Sequence, residues 1–185
     1  REHSGDYFHI EVAAYPEKHP QSIDHKQDLD NFVKKVKAGA DSAITQYFYN
    51  PDGYSYFVDE CAKAGVDIPI IPGIMPIGNF ESLSRFSDAC GAEIPRWLRI
   101  RLETYENDPE SLRAFADDYI TQMCMTLMER GAPGLHFYSM NKVEPNMQIC
   151  KTVMAQFSQD FTWADTSTAT VSNDPNALIC WKTGL

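Results

Sequence analysis

The sequence predicts an α/β fold, a parallel sheet covered by helices. Two observations carry this. Short apolar stretches alternate along the chain with longer stretches of helical periodicity. The apolar stretches run with little polar interruption, as strands buried on both faces do.

The first strand is read over Tyr7–Tyr15 (YFHIEVAAY), after which Pro16 and Pro20 break the pattern. In HKQDLDNFVKKVKAG, Leu29, Phe32, Val33 and Val36 recur at i, i+3, i+4, i+7, which is one face of a helix, and Gly39 is its natural stop. SAITQYFY is the second strand, rich in β-branched and aromatic residues. PDGYSYFVDECAKAG reads as a turn and then a helix, with Tyr54, Phe57, Val58 and Cys61 on one face. Ile68–Ile74 is the third strand. Asn79 is suited to cap the helix FESLSRFSDACG, and IPRWLRIRLETY forms a second one. Asn107 or Asp108 caps a long helix with Pro109 in its first turn, carrying Leu112, Phe115, Ala116, Tyr119, Ile120, Met123, Leu127 and Met128 up to Gly131. PGLHFYSM is the fourth strand, and a last helix runs through Met147, Ile149, Cys150, Val153 and Met154. From about Ser158 the chain is rich in Ser, Thr, Asp and Asn without periodicity. The expected organisation is one domain over 1–157 and an irregular tail over 158–185.

The bulk numbers narrow the function. A chain of 185 residues, 43% hydrophobic, has room for one domain with a real core. Its net charge of -10 repels phosphate backbones, which argues against nucleic acid as a main partner. The five cysteines are odd in number, widely spaced and form no C-x-x-C. That argues against a disulfide framework or a structural zinc, and reads as reduced thiols in a cytoplasmic protein. No apolar run approaches the roughly 20 residues of a membrane span. The first residue is Arg1 rather than Met, which fits a chain that begins inside a larger protein.

In parallel α/β folds, function collects at the C-terminal ends of the strands. Here those ends bring Tyr15, Glu17 and His19, then Gln46, Tyr47 and Tyr49, then the PGIMPIGNF turn, then Tyr138, Asn141 and Lys142. Gln46 is the odd residue of its strand. It reads either as a core amide satisfied by neighbouring backbone or as a side chain offered to a ligand. Tyr15 and Tyr138 read equally as tyrosines at the edge of the core. G-x-G-x-x-G, the phosphate-loop pattern and G-x-S-x-G are absent, and no tight His/Cys/Asp cluster suggests a metal.

Four blocks taken together are more specific: VAAYPEKHP, KAGADSAITQYFYN, IPIIPGIMPIGNF and GLHFYSMNK. In this order and spacing they resemble the methylenetetrahydrofolate reductase family, over about Phe8 to Cys150. The resemblance implies a (β/α)8 TIM barrel that binds FAD, with this chain supplying about strands five to eight. It implies reduction of 5,10-methylenetetrahydrofolate to 5-methyltetrahydrofolate with NADH or NADPH, in one-carbon metabolism and methionine biosynthesis. It also implies a homo-oligomer. By the same resemblance Gln46, Phe86 and Lys142 contact the folate, with Lys142 in place of the usual Arg. Tyr15, His19, Asp28, Asn31, Lys34 and Lys35 contact FAD. The general-acid glutamate belongs to the half of the barrel upstream of this chain, so no catalytic residue is assigned here. Two other readings stand beside this one. The first is an incomplete barrel that folds only with a partner or as an oligomer. The second is an unrelated α/β-barrel lyase or aldolase, for which no buried strand lysine is evident.

Overall fold

A computed structural model of the chain describes residues 2, 3, 5–105 and 107–157. Its four strands are β1 (Glu11–Ala14), β2 (Ser42–Tyr47), β3 (Ile70–Ile74) and β4 (His136–Phe137). They form one parallel sheet in the order β1-β2-β3-β4. The helices are α1 (His25–Lys37), α2 (Pro51–Lys63), α3 (Phe80–Cys90), α4 (Arg96–Glu103), α5 (Pro109–Glu129) and α6 (Asn146–Phe157). Among the described residues the strand order never doubles back, so no switch point of the doubly wound kind occurs there. It winds in one direction, as a segment of a barrel does. The expected tail over 158–185 lies outside the described residues.

Along β1 and β2 the two sheet faces differ. Ala14 and its neighbour Thr45 are buried, as is Ala43, whereas Glu11 and Ala13 are exposed and Ile44 is half-buried. One face therefore carries the core and the other is open at this end of the sheet. The largest helical contribution to the core comes from α5, whose Leu112, Ala116, Ile120, Met123, Cys124 and Leu127 are buried at helical spacing. Leu98 and Leu102 of α4 are wholly buried beside it. Among the described residues no helix is long and apolar enough to cross a membrane.

The helices begin where their caps dictate. Side chains of Asp24, Asn50, Asn79 and Asp108 accept backbone N–H bonds from the first turns of α1, α2, α3 and α5. Pro51 and Pro109 occupy first-turn positions, where a missing N–H costs nothing. Hence α2 starts at Pro51 itself and no separate turn precedes it, contrary to the sequence reading. α3 ends at Gly91, whose φ of 71° is left-handed. The strands are shorter than expected: Tyr7–Ile10 lie outside β1, Phe48 and Tyr49 outside β2, and only His136 and Phe137 of PGLHFYSM pair with β3.

Candidate functional site

The β1 exit builds a compact polar corner. The chain leaves Ala14 through Tyr15 and folds back over the first turn of α1. Asp28 holds this loop. Its Oδ2 accepts the His19 N–H at 3.0 Å and its Oδ1 accepts the Ser22 hydroxyl at 2.8 Å. The His19 ring meets the edge of Tyr15 with centroids 4.5 Å apart. Lys35, two turns along α1, donates from Nζ to the Ala13 carbonyl and stands 5.6 Å from the Phe32 ring centre. Burial lowers the Lys35 pKa, and the Asp28 carboxylate works against that shift.

These groups enclose a cavity of about 430 Å³, bordered by Tyr15, His19, Asp28, Asn31 and Lys35 among others. Five of the six residues expected to hold the cofactor are thus brought together. The sixth, Lys34, is exposed, reaches Asn31 Oδ1 at 3.5 Å and borders neither cavity at this end.

A larger cavity of about 610 Å³ adjoins the first and shares Tyr15, Asp28 and Phe57 with it. Glu17 and Glu93 line it. The Glu93 N–H donates to Glu17 Oε2 at 2.6 Å, tying the loop after β1 to the loop before α4. Burial pushes the Glu17 carboxyl up to about 7; the bond from Glu93 opposes the shift and the Glu93 charge adds to it. The sequence reading missed this pair, whose members lie 76 residues apart.

That shift has a sign. An acid with a raised folded-state pKa keeps its proton more readily folded than unfolded. Its contribution to stability is full below the ordinary value of 4.5 and is lost as pH rises through about 7. Unfolding of the wild type in urea is expected to become easier between pH 5 and pH 8. Glu17→Gln, which still accepts the Glu93 bond, should remove on the order of 1 kcal/mol of that drop after allowance for partial exposure. Parallel pH profiles for the two proteins would show that Glu17 is not responsible.

The other strand ends carry the residues expected to meet substrate. Gln46 is half-buried, and its Oε1 accepts the Tyr47 N–H at 3.0 Å. Phe86 of α3 is 40% exposed and stacks on Tyr47 with centroids 6.0 Å apart and planes 17° off parallel. The Tyr47 hydroxyl pairs with Ser87 Oγ at 3.1 Å, and burial first, moderated by this bond, raises its pKa to about 12. Lys142 is exposed beyond β4, beside the β3–α3 turn: its Nζ lies 3.8 Å from where a Cβ on Gly78 would sit. The turn before it holds Met140 and Asn141 at φ of 49° and 61°, left-handed values that cost a methionine more than an asparagine.

One buried group on β4 is given no role by the sequence reading. His136, on β4, is buried, and its ring lies 4.8 Å from that of Tyr138. Burial lowers its pKa, so the neutral ring is the stable form. Among the described residues, no group of three or more His, Cys, Asp or Glu is placed to hold a metal ion.

Comparison with known proteins identifies the family of the chain. Residues 1–154 match the family model described as methylenetetrahydrofolate reductase. The chain belongs to the methylenetetrahydrofolate reductase family. The 5,10-methylenetetrahydrofolate reductase of Salmonella typhimurium is 40% identical over 146 residues, which are 79% of this chain and 49% of that protein. The Escherichia coli protein of the same name is 38% identical over 146 residues, again 79% and 49%. Methylenetetrahydrofolate reductase (NADH) 1 of Arabidopsis thaliana is 39% identical over 146 residues, 74% of this chain and 25% of that protein. The chain therefore spans about half the length of the bacterial relatives it matches. Among solved structures, a Clostridium thermocellum protein described as binding two copies of 5-methyl-5,6,7,8-tetrahydrofolic acid superposes with a TM-score of 0.57. It is 21% identical, over 82% of this chain and 54% of that one, a likeness of fold.

Proposed function

We propose that this chain forms strands five to eight of a (β/α)8 barrel and supplies it with one wall of the flavin site and part of the folate site. The reaction is reduction of 5,10-methylenetetrahydrofolate to 5-methyltetrahydrofolate at the expense of NADH or NADPH. The observation that carries this reading is the cavity at the β1 exit, where Tyr15, His19, Asp28, Asn31 and Lys35 converge.

The donor set of that cavity fits FAD. It offers a lysine ammonium, an asparagine amide and the imidazole of His19 for the ribityl and diphosphate oxygens, with the Tyr15 ring as an apolar wall. When bound, FAD supplies the two-electron carrier between nicotinamide and folate. The chain's own residues bind and orient. Lys35 places positive charge where the phosphates would lie, and Asp28 keeps the His19 loop against α1. Phe86 presents an aromatic face for the folate rings to pack against. Gln46 offers the NH2 end of its side-chain amide, as a donor, to the pterin edge. Lys142 gives a positive charge to the folate carboxylates, without the two-pronged grip of an arginine. The general acid is assigned to the complementary half of the barrel.

The second reading, an incomplete barrel that folds only with a partner or as an oligomer, rests on one observation. Among the described residues β1 and β4 each have a single strand neighbour, and Tyr7, just ahead of β1, is 83% exposed. One experiment bears on both readings. The purified chain is mixed with FAD, desalted and examined for flavin absorption. Retained flavin that falls tenfold or more in Lys35→Met is the expected result, from loss of a charge-assisted contact. Flavin held equally by wild type and Lys35→Met overturns the placement. Flavin held only after the complementary half is added favours the second reading.

A further inference from the structure

The strand that carries Gln46 contains an irregularity with identifiable causes. Between their shared pairs β2 has one residue more than β3: Ile44 lies opposite Ile71 and Tyr47 opposite Gly73, with a register shift between. Thr45 and Gln46 together therefore face Pro72. Proline has no N–H to give to a ladder, and within a central strand it is tolerated where the partner bulges.

Three hydrogen bonds define this bulge, and Thr45 takes part in two of them. The Gly73 N–H donates to Thr45 Oγ1 at 2.9 Å, so a side-chain oxygen accepts a strand amide. The Tyr138 hydroxyl, from just beyond β4, donates to the Thr45 carbonyl at 2.9 Å. In the third bond the Tyr47 N–H donates to Gln46 Oε1 at 3.0 Å. That bond fixes the oxygen end of the Gln46 amide on the backbone and leaves its NH2 end, with two donors, to offer elsewhere.

We propose that Thr45 and Tyr138 are positioning residues: by holding the β2 bulge from either side, they set the direction in which Gln46 presents its amide to a pterin ring. The ring suits this arrangement, because a pterin edge carries a carbonyl oxygen and ring nitrogens that accept hydrogen bonds. The inference rests on the folate reading above, but its structural half, control of Gln46 through the bulge, is measurable without any folate.

The test uses the full chain and three substitutions. Thr45→Val removes Oγ1 and keeps the branched shape. Thr45→Ser restores the oxygen. Tyr138→Phe removes only the hydroxyl and keeps the ring, which protects the test against a variant that fails to fold. The first readout is amide hydrogen exchange at Tyr47, with the Ala43 amide, bonded to the Pro69 carbonyl at 2.9 Å, as reference for the rest of the strand. The second is the dissociation constant for 5-methyltetrahydrofolate.

Thr45→Val and Tyr138→Phe should each lower Tyr47 protection about tenfold with Ala43 unchanged, and weaken folate by about the same factor. Thr45→Ser should recover both, and flavin retention should not move. Thr45→Val combined with Gln46→Ala should bind folate no worse than Gln46→Ala alone, because the first change acts through the second residue. Unchanged Tyr47 protection overturns the inference. So does equal loss at Ala43, which marks general loosening of the strand, and so do losses in the double variant that simply multiply. If the wild type itself binds no folate, the folate reading fails, and exchange at Tyr47 alone decides whether Thr45 and Tyr138 control Gln46.

Discussion

Gly73→Ala is expected to destabilise the fold by about 3–5 kcal/mol. Backbone conformation is not the reason, since Gly73 is not among the residues with positive φ. Space is the reason. A Cβ at this position would lie 2.2 Å from the Thr45 carbonyl oxygen and 2.7 Å from Cε2 of Tyr138. The tyrosine ring is held by its hydroxyl bond to Thr45, and the Thr45 carbonyl is backbone of a paired strand. Relief therefore requires β2 and β3 to separate. Separation strains the packing by roughly 1–3 kcal/mol and weakens two bonds worth about 1 kcal/mol each. Those bonds run from Gly73 N–H to Thr45 Oγ1 and from the Tyr138 hydroxyl to the Thr45 carbonyl. Against a typical total of about 5–15 kcal/mol, such a loss leaves a chain that is partly unfolded at ordinary temperature. Gly53→Ala is the control. It lies within α2 with nothing within 4 Å of its added Cβ, and should gain about 0.5–1 kcal/mol from helix propensity. Urea unfolding followed by circular dichroism compares the two. A Gly73→Ala protein as stable as wild type would mean that the close approach of β2 and β3 is not required.

What the sequence discloses about this fold depends on how local each cause is. Helix existence and caps are local, so α1, α3 and α5 were legible from spacing and from Asn79 and Asp108. Strand length is not local. Tyr7–Ile10 have strand-like composition, but β1 extends only as far as Ser42–Thr45 offer it partners. β4 is two residues long because β3 presents it only Gly73 and Ile74. The same division runs through the site. Asp28, Asn31 and Lys35 are separated by three and four positions and so share one face of α1, where they border one cavity. Lys34 is one residue, about 100° of rotation, away from Lys35, and lies off that face. The Glu17–Glu93 bond and the Thr45–Tyr138 bond join loops and strands distant in sequence, and no periodicity announces them. The dilemma of Gln46 dissolves in the structure: a neighbouring amide satisfies its oxygen while its nitrogen remains to be used.

Asp28→Ala is expected to reduce flavin retention by about two orders of magnitude, and the reason separates geometry from charge. Two influences oppose one another. Asp28 is a carboxylate in a cavity assigned to an anionic cofactor, so its removal favours binding by simple electrostatics. For a partly exposed site that gain is below about 1 kcal/mol. Asp28 also accepts two hydrogen bonds, from the His19 N–H and the Ser22 hydroxyl, and so fixes the loop that carries His19 and, through their ring contact, the pose of Tyr15. Hydrogen bonds to a charged acceptor are worth about 1.5–3 kcal/mol each. Losing both frees a loop whose ordering must then be supplied at the moment of binding. The structural term outweighs the electrostatic one, so binding weakens. Asp28→Asn tests the balance, because it removes the charge and keeps one acceptor. Its flavin affinity should fall between wild type and Asp28→Ala, and hydrogen exchange at the His19 amide should follow the same order. Tighter flavin binding in both variants would show that charge repulsion, not loop geometry, governs the site. In that case Lys35, whose ammonium form Asp28 now favours, would have to hold the phosphates without its neighbour.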